Sequence, residues 1–140
     1  MLADGTIGDM AARSRSLLAL ALAALVAAVL PVPGRADDGQ DLRVERSCTA
    51  GSSVRLRVRT RDGGTLRVVF DVRRAPSRSA WLVRIVHERR LVVRTTRRAS
   101  LSGSLTVRRS LPEWPGRNTV IARAIGPGGE ICRAVVTLAG

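Results

Sequence analysis

Val54-Arg55-Leu56-Arg57-Val58-Arg59 alternates an aliphatic side chain with an arginine at every step. Successive side chains of a β-strand point to opposite faces, so this run is a strand with one dry face and one face of guanidinium groups. A helix would scatter the same residues around its circumference and leave no dry stripe. The alternation continues on the C-terminal side. Leu66, Val68, Phe70 and Val72 repeat it beyond Arg61-Asp62-Gly63-Gly64, whose glycines suit a hairpin turn. Trp81, Val83 and Ile85 predict another such strand, with Trp81 and Phe70 in the core. His87-Glu88-Arg89-Arg90 predicts a tight reversal, with His87 as an ordinary turn residue, and Leu91, Val92 and Val93 open the next strand. Further strands are expected over 101–109, 119–125 and 131–138, the last two joined across Gly126-Pro127-Gly128-Gly129, and 42–48 supplies the first.

About eight short strands with regular turn signals and no amphipathic helix predict an all-β domain over 42–140. Roughly seven strands in about 100 residues is the pattern of an immunoglobulin-like antiparallel β-sandwich. A small closed barrel is the alternative, because alternation does not say whether the sheet splits in two or closes on itself. No internal repeat is present.

Ahead of this domain, residues 17–30 read LLALALAALVAAVL, an uncharged apolar run that is short of the about twenty residues needed to span a bilayer. Arg13 and Arg15 flank it, Pro31, Pro33 and Gly34 break it, and Gly34 and Ala36 stand at the −3 and −1 positions of a cut after Ala36. Residues 1–36 therefore predict a secretory signal peptide on a helix, with 37–41 a short polar linker. MLADGTIGD carries two acids, Asp4 and Asp9, and no positive side chain, whereas MAARSRS has the expected charge, so Met10 is the expected true start. An uncleaved anchor is the other reading. After cleavage no membrane contact is expected, and the localisation is extracytoplasmic.

An exported chain meets an oxidising compartment, so Cys48 and Cys132 predict one disulfide. It would tie the first strand to the last. The loop it closes, about 85 residues, is worth roughly 4.5 kcal/mol in the chain-entropy treatment. Antibody domains instead bridge their second and sixth strands and carry a corner tyrosine, and this chain has no tyrosine. The ordered features Cys48-Thr49-Ala50-Gly51-Ser52, Asp62-Gly63-Gly64, Trp81, Ser102-Gly103-Ser104-Leu105, Ala122-Arg123-Ala124 and Gly129-Glu130-Ile131-Cys132-Arg133 carry a resemblance. Together they resemble an uncharacterised group of small exported single-domain proteins of high-GC bacteria, over most of 43–138. The resemblance implies an exported immunoglobulin- or fibronectin-like domain and carries over no catalytic residue.

The 140 residues include 24 arginines, no lysine, 11 acids and one histidine, for a net charge of +13. Beyond Ala36 the count is 21 arginines against nine acids, +12. One histidine and two distant cysteines do not make a four-ligand zinc site, no glycine-rich phosphate loop is present, and no nucleophile has an evident base. No cofactor, metal or enzymatic activity is expected. Arg55, Arg57, Arg59 and Arg67 share one sheet face and are the candidate anion-binding residues, because planar guanidinium groups bind phosphate and carboxylate well. The competing reading is a solvated face produced by arginine-rich codon usage, to which the absence of lysine points. Nucleic acid is not an expected partner of an exported chain with so few aromatic rings to stack on bases. An anionic envelope polymer or an unknown protein is. Trp114, in the proline-rich stretch 111–118, is the candidate partner contact, with an indole that caps the open end of the core as the alternative. The expected function is a non-enzymatic adhesion, scaffolding or protein-binding module of the cell envelope, or alternatively an electrostatic polymer binder. An inhibitor or accessory subunit that presents 111–118 is a third reading.

Overall fold

The computed structural model describes residues 39–139, so the expected signal segment and the Met10 start lie outside the described residues. Eight strands follow one another: β1 Asp41–Ser47, β2 Ser53–Arg61, β3 Thr65–Arg73, β4 Ala80–His87, β5 Arg90–Arg98, β6 Leu105–Pro112, β7 Asn118–Ile125 and β8 Ile131–Leu138. They form two antiparallel sheets of four, in the orders β1-β2-β3-β6 and β5-β4-β7-β8. The sheets do not pair with each other, so the barrel alternative is excluded and the sandwich stands. Asp41, placed in the linker by sequence, is the first residue of β1.

Alternation along β2 is visible in its burial: Val54, Leu56 and Val58 are buried while the arginines between them are not. Leu66, Val68, Phe70 and Val72 face them from β3, and Trp81, Val83 and Ile85 close the core from β4. Each fully buried aliphatic side chain contributes about 1.5–3 kcal/mol. Trp81 satisfies its one polar group locally, its Nε1 donating to Ser79 Oγ at 2.9 Å. Gly126 lies directly on that indole, where a Cβ would stand 2.4 Å from Cη2 of Trp81.

Two local expectations are corrected. The strand expected over 101–109 begins only at Leu105, because residues 100–104 form a turn in which Ser100 N and Gly103 N donate to Ser104 O and Ser100 O. Gly103 is required there: its φ is +78°, and a Cβ would meet Ala75 O at 2.2 Å. His87 is not a turn residue but the buried last residue of β4. The reversal itself is the two residues Glu88 and Arg89, both with positive φ (47° and 66°), which is the conformation that matches strand twist in a tight hairpin.

Cys48 and Cys132 are bonded, with Cα atoms 4.4 Å apart. Cys48 lies just past β1 and Cys132 lies in β8, so the bridge stitches edge strands of the two sheets. A formed disulfide is consistent with an extracytoplasmic protein. At the other end of the same strands, Gln40 Nε2 donates to Ala139 O at 2.7 Å.

Candidate functional site

Strand register decides what the arginines of β2 meet. Pairing across β1, β2, β3 and β6 lays the outward side chains in rows: Asp41-Arg59-Arg67-Ser110, Arg43-Arg57-Val69-Arg108 and Glu45-Arg55-Asp71-Thr106. The four candidate anion-binding residues are thus neighbours on one face, Arg67 directly opposite Arg59. Arg43, Arg61 and Arg108 join them around an open groove of about 310 Å³.

Three of the four candidates are already engaged. Asp41 accepts from Arg57 Nε at 2.8 Å and Nη2 at 2.5 Å, and its Oδ2 also accepts from Arg59 Nη2 at 2.9 Å. Glu45 Oε1 accepts from Arg55 Nε at 2.7 Å. The Arg57 guanidinium, with that of Arg59 beside it, holds the Asp41 carboxyl well below the usual carboxylate range, and Arg55 lowers Glu45 in the same way. Arg57 is raised in return by Asp41. Asp71 accepts from Thr106 Oγ1 at 2.6 Å. Arg43, Arg67 and Arg108 form no ion pair among the described residues. Around the groove, seven guanidinium groups therefore face three carboxylates. The signal for this neutralisation was present in the sequence, since Asp41 and Glu45 fall in phase with the arginines of β2, but only the register makes them partners.

Trp114 folds back onto the end of the sandwich. Its ring lies 5.1 Å from that of His87, and the Arg90 guanidinium stands 4.9 Å over its face. Asn118 holds the loop: Nδ2 donates to Trp114 O and Gly116 O, and Oδ1 accepts from Trp114 N. With Asn118 Oδ1 fixed as an acceptor, the buried His87 Nε2, 2.9 Å away, must carry a proton and donate.

Sequence reasoning missed the most buried charged residue among those described, Glu130. It accepts from Ala50 N at 3.2 Å, Ser52 N at 2.9 Å and Ser52 Oγ at 3.0 Å. Beside it Thr49 N donates to Ile131 O and Ile131 N donates to Thr49 Oγ1. The 48–52 loop is thereby clamped to the start of β8 next to the disulfide, which is what the quoted Cys48–Ser52 and Gly129–Arg133 segments do for the fold. No protein-family model, no curated protein and no solved structure matches this chain.

Proposed function

We propose that this chain is an exported, non-enzymatic binding module of the immunoglobulin-like type, acting in adhesion or scaffolding at the cell envelope. Its arginine groove on the outer face of β1-β2-β3-β6 holds an anionic envelope polymer. Strand order supports the fold type. If β2, β3 and β6 stand for strands A, B and E, and β4, β7 and β8 for C, F and G, both sheet orders agree with that architecture. β5 then takes the place of an added edge strand beside C, and β1 is an extra strand. The apolar leader and the disulfide support export. His87, the one histidine, is buried against Asn118, which supports a role in structure rather than as a base.

The single observation that carries the polymer reading is the groove's excess of guanidinium over carboxylate, with Arg43, Arg67 and Arg108 unengaged. Such groups take phosphate, sulfate or carboxylate by paired, charge-assisted hydrogen bonds. Trp114 offers less to a partner, since its ring already lies against His87 and under Arg90.

Heparin and phosphocellulose are suitable surrogate polymers. The protein is expected to stay bound through moderate salt. Arg67→Glu/Arg108→Glu should elute markedly earlier. Asp41→Asn, which releases Arg57 and Arg59, should elute later. Elution unchanged in both variants overturns the reading.

A further inference from the structure

The other sheet carries a differently built surface. Register places Arg94, Arg84, Arg123 and Arg133 directly opposite one another, a row of four guanidinium groups straight across β5, β4, β7 and β8. The four strands of this sheet contain no acidic residue. Like charges directly opposite on neighbouring strands destabilise a sheet, and here no carboxylate relieves them as Asp41 and Glu45 do on the first sheet. Arg84, at the row's centre, has a buried Nε with no hydrogen-bond partner among the described residues.

Aliphatic rows lie on both sides. Leu82, Ile125 and Ile131 form one, and Leu91, Val86, Ile121 and Val135 the other. Leu91 is 55% exposed and Ile131 37%, two of the four most exposed large aliphatic side chains described. Strands are about 4.8 Å apart and alternate residues about 6.7 Å, so the three rows cover roughly 400 Å². That is half the about 800 Å² per partner of a standard protein interface, a size that fits one helix or strand.

We infer that this face docks a single segment of a partner protein whose acidic side chains run between two apolar stripes. Charge complementarity selects the acidic centre, and the flanking aliphatic rows select the stripes. A soluble polyanion would leave the aliphatic rows uncovered. An anionic bilayer, against which the arginine stems can bend aside, is the rival occupant that the vesicle arm of the test below distinguishes. A second copy docking through the same face would set one arginine row against another. The inference does not depend on the polymer groove, which is on the opposite face.

The probes are two synthetic helical peptides of identical composition, one with glutamates between two leucine stripes and one shuffled, titrated by fluorescence anisotropy into the exported protein. The patterned peptide should bind saturably and about tenfold or more tighter than the shuffled one. Arg84→Gln/Arg123→Gln and, separately, Ile131→Ser should each weaken it by about tenfold, whereas Arg67→Glu/Arg108→Glu should not. If the double variant does not fold, Arg133→Gln on edge strand β8 replaces it. Equal binding of the two peptides overturns the inference. So does row-dependent binding to phosphatidylglycerol vesicles without binding of the patterned peptide. Because the polymer reading is tested by its own variants, either idea can fail alone.

Discussion

Arg55, Arg57 and Arg84 are chemically identical, yet they stand in different circumstances. The first two are held by Glu45 and Asp41. The third stands between like charges with its Nε unsatisfied. A charged side chain's role is therefore fixed by what the neighbouring strands bring within its reach and not by its own type: Arg57 lies opposite Arg43, yet it reaches diagonally to Asp41. Trp114 makes the same point for an aromatic residue. In sequence it stood as a partner contact or a cap; in the structure its ring contacts His87 and Arg90, and its backbone is bonded to Asn118. Trp114→Ala should accordingly lower stability by about 2 kcal/mol in chemical denaturation, through lost ring contact and lost cation–π attraction. An unchanged midpoint would return the residue to the role of a free contact.

Among the elements, the β4–β5 hairpin stores an identifiable strain. Both of its turn residues, Glu88 and Arg89, occupy the left-handed region without being glycine or asparagine, which costs about 1–2 kcal/mol per residue. Contacts to β7 hold the turn: Glu88 N donates to Thr119 O at 3.1 Å, and Glu88 Oε1 accepts from Thr119 N. Arg89→Gly is expected to raise stability by about 1 kcal/mol, because glycine adopts that φ freely while the Glu88 clamp stays in place. A drop in melting temperature would refute it. The sequence placed this reversal correctly from its four polar residues. It misplaced His87, because nothing local distinguishes the last buried residue of a strand from the first residue of a turn.

For the molecule as a whole, the disulfide joins edge strands of the two sheets that are far apart in sequence. The bridged cysteines are 84 positions apart. The buried Glu130 and the Thr49–Ile131 hydrogen bonds reinforce the same corner. Cys48→Ser/Cys132→Ser should cost about 4 kcal/mol, a large share of the about 5–15 kcal/mol that holds a domain of this size. Equilibrium denaturation of the variant against the oxidised protein measures it, and a loss under about 1 kcal/mol would mean that the remaining contacts already fix the corner.

Alternation by twos is a property of the chain itself. Burial of one face then follows from the hydrophobic effect, so the all-β class, the strands and the inward positions of Phe70 and Trp81 were legible without coordinates. An even pair of cysteines following an apolar run made the bridge legible as well. Pairing partners are another matter, because they depend on which strand lies beside which, across separations of tens of residues. Register alone made Asp41 the counter-charge of Arg57 and Arg59, left Arg67 and Arg108 open, and lined up Arg94, Arg84, Arg123 and Arg133 from four separate strands. The position of each arginine was written in the chain; whether it meets an acid, a ring or another arginine was decided by tertiary structure, since electrostatic attraction acts through space and not along the sequence.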